Sequence, residues 1–94
     1  MLSQIPTDLN KVDKKDLVKE ILRLAIIAEL DAINLYEQMA SMTENTNLRQ
    51  VLVEVAREEK THVGEFQALL LKEDREQEKE LSNGRDEVDE LLEG

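Results

Sequence analysis

Three features of the sequence predict an all-α fold: an antiparallel two-helix hairpin followed by a short C-terminal helix. Residues that break or avoid helices are scarce, with one Pro, three Gly and only two aromatic residues. Charged residues make up 36% of the chain beside abundant Leu, Ala, Glu and Lys, the usage of long helices rather than of a sheet. Apolar residues recur at three- and four-residue intervals over long stretches, which places them on one side of a helix. The 94 residues form one domain, 1–94, whose core is too small to bury much surface by itself, so self-association is expected.

The lead-in "SQIPTDLNKV" reads as irregular, because Pro6 and Thr7 do not suit a helix interior, and Asp13 is placed to cap the first helix. Helix 1 is expected over about 14–41, with Val18, Ile21, Leu22, Ala25, Ala32, Tyr36, Met39 and Ala40 on its apolar stripe. "MTENTN" breaks the pattern with residues that hydrogen-bond their own backbone, and Thr46 or Asn47 can cap the next helix. So short a connection folds the chain back antiparallel. Helix 2 is expected over about 47–75, with Leu48, Val51, Leu52, Val55, Phe66, Leu69 and Leu70 on its stripe and the charged "EDREQEKE" as its solvated end. Ser82-Asn83-Gly84 is a turn signal, and a short helix over about 86–92 would carry Val88, Leu91 and Leu92.

A net charge of −10 excludes a nucleic-acid or anionic-membrane surface, both of which need clustered Lys and Arg, and favours cations as guests. The longest apolar run, Leu24 to Ala28, is far short of a membrane span, and no secretory signal is recognisable. The expectation is a soluble, cytoplasmic protein. With no cysteine, thiolate chemistry is excluded, and any metal would be held by oxygen and imidazole.

The single histidine, His62, stands three residues after Glu59 in "REEKTHVGEF". Fifteen of the 94 residues are Glu, so this spacing means little by itself. Position is more informative. At about 100° per residue, Glu59 and His62 fall within about 40° of Val55, inside the apolar stripe, and Glu29 interrupts the stripe of helix 1 at a matching height. A carboxylate at a core position is costly without a compensating partner, and a metal ion is one. The alternatives are a core histidine paired with Glu59, and a Glu29 hydrogen-bonded to Tyr36. Three ligand-type residues at level core positions favour metal, with Glu29, Glu59 and His62 as ligands and Tyr36 beside them. Glu54, Glu58 and the acids from Glu73 to Glu80 fall largely outside the stripe and read as solvated surface.

A di-iron carboxylate bundle takes one Glu from each of two helices and Glu-x-x-His from each of the other two. This chain supplies half of that set, so two copies related by a two-fold axis would complete both the site and the four-helix bundle. Leu17, Leu24, Ile27, Leu30 and Leu35 carry further apolar surface off the main stripe of helix 1, which implies additional partners.

With these residues in view, the sequence resembles the encapsulated ferritins, half-length ferritin-like proteins that accompany or are fused to encapsulin shells. "LRLAIIAELDAINLYEQMA" and "VAREEKTHVGEF" carry the likeness, over approximately residues 14–72. The resemblance implies a ferritin-like bundle formed by a homodimer and ring-shaped assembly of such dimers. It also implies a ferroxidase centre between subunits that oxidises Fe(II) to Fe(III) for iron storage or detoxification inside an encapsulin nanocompartment. On this chain Glu29 would bridge two irons, with Glu59 and His62 as terminal or chelating ligands. Some members carry an additional acid just before the helix 1 ligand, as part of a metal-uptake site. Here that residue is Ala28, and Asp31 is the remaining candidate. The peptide that docks cargo in a shell is not recognisable in "VDELLEG", which leaves both a free cargo protein and the front part of a shell fusion open.

Carboxylates with one imidazole per metal suit Fe(II) and favour Fe(III) by their charge. Rival readings are a di-iron or di-manganese peroxidase, an adaptor in which the ion merely staples the dimer, and a metal-free acidic helical dimer.

Overall fold

The computed structural model describes residues 8–11 and 13–93. After a 3-10 turn at Leu9–Lys11 the chain forms three helices: α1 (Lys14–Met42), α2 (Thr46–Glu73) and α3 (Arg75–Glu93). Most of the irregular lead-in, with Pro6 and Thr7, lies outside the described residues, as does Gly94 at the other end.

α1 and α2 run antiparallel and pack against each other, joined by Thr43, Glu44 and Asn45. The connection is held by its own polar groups. The cap of α2 is Asn45, one residue before the expected Thr46 and two before the expected Asn47, and its Oδ1 accepts from the Leu48 N–H at 3.0 Å. Arg49, on the first turn of α2, reaches back to the end of α1. Its Nε donates to the Ala40 carbonyl at 3.1 Å and its Nη2 to the Thr43 carbonyl. A guanidinium thereby satisfies carbonyls that the end of α1 leaves without helical partners and places positive charge at its negative pole. Asp13 does stand at the N-cap of α1, but it accepts there through its backbone carbonyl, from the Asp16 N–H at 2.9 Å, and not through its side chain.

The third element differs from the sequence expectation. α3 has 19 residues and begins at Arg75, so "EDREQEKE" is not the end of α2, and Ser82-Asn83-Gly84 is helical rather than a turn. The break is one residue, Asp74. Its N–H closes α2 on the Leu70 carbonyl at 2.8 Å, and its Oδ1 caps α3 by accepting from the Gln77 N–H at 3.0 Å. An Asp with Gln at the third position after it is a capping pattern, and here it outweighs the downstream turn residues.

The molecule is open rather than compact. Its radius of gyration is 16.7 Å and it extends 46 × 45 × 21 Å; a compact domain of this length would have a radius near 12 Å. At about 1.5 Å per residue, α1 accounts for one long dimension at ~43 Å, and the other arises because α3 leaves the hairpin at a steep angle, making few contacts with α2 and burying no residue.

The hairpin core is correspondingly thin. Among the described residues only Leu22, Ile33, Ala40, Ala56 and Leu70 are buried. Ile33 and Ala56 were not on the expected stripes, whereas Val18, Ile21, Leu48, Val51 and Leu69, which were, stand between 46% and 60% exposed. Each apolar stripe is wider than one neighbouring helix can cover. One flank closes the hairpin and the other is left facing outward.

Candidate metal centre

Glu29 is the sixteenth residue of α1 and Glu59 the fourteenth of α2, so in antiparallel helices they lie level near the middle of the hairpin. His62 stands one turn beyond Glu59 on the same side of α2. The three side chains converge: one ligand-type atom from each lies within 4.8 Å of the other two. His62 Nδ1 is 3.4 Å from Glu29 Oε2 and 3.4 Å from Glu59 Oε2, longer than a good N–H···O hydrogen bond to either. Among the described residues no other group of three or more His, Asp or Glu side chains converges in this way.

Burial distinguishes these groups. The side chains of Glu29 and Glu59 are 21% and 18% exposed, while the imidazole is 45% exposed and looks out of the hairpin. Glu29 Oε2 is shut off from solvent and has no hydrogen-bond partner, so Tyr36 does not satisfy it. A shielded carboxylate oxygen without a donor is unfavourable, and a cation beside it removes the penalty. The donor set therefore fits a metal ion: hard carboxylate oxygens, one imidazole and a shielded oxygen that accepts no hydrogen bond.

The remaining candidates are placed differently. Tyr36 is half-buried two turns after Glu29 on the same side of α1. Asp31 is half-buried, engaged in an interaction of its own, and not part of the cluster. Ala28 adds no acid. Glu54 pairs with Arg57 on the surface, and that hydrogen bond holds its carboxyl below the usual carboxylate range. Lys60 and Glu37 join the two helices at 2.9 Å. Sequence reasoning overlooked two groups of structural weight, Arg23 and Asp74, which meet at 2.9 Å across 51 residues of chain. The signal was the Asp-x-x-Gln cap.

The exposed flanks adjoin the cluster. Val18, Ile21, Leu48, Val51 and Leu69 are exposed, and helical spacing puts them on the same flank of the two stripes as His62, so apolar surface borders the three ligand-type residues. No helix among the described residues is long and apolar enough to cross a membrane.

Comparison with known proteins identifies relatives of the chain and of its fold. The Rubrerythrin family model matches residues 20–92. The chain is 63% identical over 94 aligned residues to the ferritin-like-encapsulin shell fusion protein of Pyrococcus furiosus, covering 97% of this chain and 27% of that protein. It is 40% identical over 67 residues to the encapsulin nanocompartment cargo protein EncC of Myxococcus xanthus, covering 71% of this chain and 51% of the relative. The chain thus spans about a quarter and about half of these two relatives. Among solved structures it resembles the encapsulated ferritin domain from Pyrococcus furiosus, with a TM-score of 0.83 and 61% identity over 97% of this chain and 95% of that one.

Proposed function

The chain belongs to the rubrerythrin family and has a ferritin-like, all-helical fold, and on that footing we propose that it is a ferroxidase whose di-iron centre is completed by a second copy of itself. One observation carries the reading: the shielded, unpartnered Glu29 Oε2 beside Glu59 and His62. Iron is the substrate. Two hairpins facing each other across a two-fold axis bring two copies of each ligand to one place, and the exposed apolar faces supply the surface that joins them. In that arrangement Glu29, Glu59 and His62 of both copies would hold the two ions, each Glu29 shared between them and each Glu59 and His62 serving one.

Charge makes the site suitable for loading with Fe(II) and for its oxidation. Two Glu29 and two Glu59 carboxylates carry four negative charges and match two Fe(II) ions. Oxidation raises the charge on each ion, and the carboxylates attract Fe(III) more strongly than Fe(II), which favours the oxidised state. Each Fe(II) gives up one electron, and one oxygen molecule accepts both with two protons to become hydrogen peroxide. This chain's residues bind and orient the ions and keep the centre between helices.

Similarity to a shell fusion protein and to an encapsulin cargo protein supports a place inside an encapsulin compartment, and the apolar surface remaining on Ile27, Leu30 and Leu35 supports assembly of dimers into a ring.

The test is aerobic addition of Fe(II), with absorbance of the oxidised product as the readout. Wild-type protein should oxidise iron faster than buffer, and Glu59→Ala and His62→Ala should not. Wild-type protein that only matches buffer refutes the proposal. Carboxylate and imidazole sites also take redox-silent ions, so a stapling role is separated by adding zinc, which would sustain assembly without turnover. A peroxidase is separated by supplying peroxide in place of oxygen.

A further inference from the structure

The segment that the iron reading leaves unused is the elbow between α2 and α3, and it is built around one side chain. Asp74 is the single non-helical residue between two helices of 28 and 19 residues. Its two carboxylate oxygens are divided between different elements: Oδ1 accepts from the Gln77 N–H in the first turn of α3, and Oδ2 accepts from Arg23 Nη2 of α1 at 2.9 Å. Its backbone N–H and carbonyl serve α2 and α3 in the same way, through the Leu70 carbonyl and the Glu78 N–H. The Asp74 side chain is only 13% exposed, whereas Arg23 is 48% exposed. α3 has no buried residue and packs sparsely against α2, yet carries exposed Val88, Leu91 and Leu92.

We infer that Asp74 and Arg23 form an elbow latch: one carboxylate, capping α3 and ion-paired to α1, fixes the direction in which α3 leaves the hairpin. A cap alone would order the first turn of α3 but leave its orientation free, because the cap turns with the helix. The bond to Arg23 removes that freedom by tying the same carboxylate to a residue of the hairpin. The latch thereby presents the apolar side of α3 at a set angle before any partner arrives, which lowers the ordering cost of association. This holds whether or not the protein oxidises iron.

Because the chain has no cysteine, spin labels can be placed at will. Asn34→Cys on α1 and Asp86→Cys on α3 put one label on each arm at exposed positions, and dilution with unlabelled chain isolates the distance within one subunit. Wild type should give a single narrow distance distribution. Arg23→Met keeps an unbranched apolar stem but loses the bond, and should give a distribution roughly twofold broader with unchanged helix content. Asp74→Asn, which retains capping ability, should behave likewise, and high salt should move wild type toward Arg23→Met. A wild-type distribution in Arg23→Met overturns the latch, whatever Asp74→Asn does, since the cap alone would then account for the elbow.

Discussion

Glu29 is the residue on which the metal reading turns, and it makes a prediction independent of iron chemistry. In metal-free protein its shielded oxygen is unfavourable, so Glu29→Met, similar in volume and apolar, should raise stability by about 1 kcal/mol by removing an unsatisfied polar group. In wild type a divalent ion should raise the melting temperature, since a ligand that binds only the folded state stabilises by about 2.7 kcal/mol at a hundred times its Kd. In Glu29→Met that rise should vanish. Thermal unfolding with and without Co(II), which is slow to oxidise, checks both. A variant less stable than wild type without metal would mean that Glu29 is already satisfied. The three ligand-type residues were legible in the sequence because helical arithmetic needs only their spacing. What spacing does not give is the difference in exposure between them, with His62 turned outward and Glu29 inward, because that depends on where the second helix lies.

At the scale of elements, legibility failed at α3 for a definite physical reason. Ser82, Asn83 and Gly84 favour turns when nothing else decides, but a helix already capped upstream at Asp74 propagates through them at little cost per residue. Gly84 takes no positive φ, and a Cβ at either Gly84 or Gly64 would meet nothing within 4 Å. Gly64→Ala, in mid-α2, should therefore stabilise the fold by roughly 0.5–1 kcal/mol, measured by chemical denaturation. A destabilised variant would place a partner's backbone against that position. The elbow makes a pH prediction. The Asp74 carboxyl is lowered below its ordinary value, first by the hydrogen bond from the Gln77 N–H and then by Arg23 and Lys19 of α1. Its lowered value means that its contribution is complete above the usual aspartate range and is lost as pH falls through the folded-state value. Acid should thus loosen α3 only below the range in which free aspartates titrate. The distance between spin labels on Asn34→Cys and Asp86→Cys, measured during acid titration, should broaden only there, and loosening near neutral pH would assign the effect to another group.

For the whole molecule, five buried residues among those described and an open outline amount to a thin core, as a domain this small buries only a modest part of the surface of its chain. Apolar surface beyond what one neighbouring helix covers, from which the sequence already implies further partners, fits the proposed pairing with two neighbours per helix. Leu22, Ile33, Ala56 and Leu70 close the hairpin, and Val51 and Leu69 stand exposed on the face that the proposed pairing would cover with another copy. Stability and activity should then share one dependence. Melting temperature should rise with protein concentration, as for any fold whose association is linked to folding. Val51→Glu puts a charge on the outward face, at a residue 60% exposed in the single chain and outside the ligand set. It should leave the hairpin helical but prevent pairing, because desolvating an unpaired carboxylate at an interface costs several kcal/mol. Light scattering should then report a monomer, and Fe(II) oxidation should fall to the rate in buffer although Glu29, Glu59 and His62 are intact. A monomeric Val51→Glu protein that oxidised iron at the wild-type rate would show that one hairpin holds a complete site. A dimeric one with full activity would move the pairing face elsewhere, to the side of α1 that carries Ile27, Leu30 and Leu35.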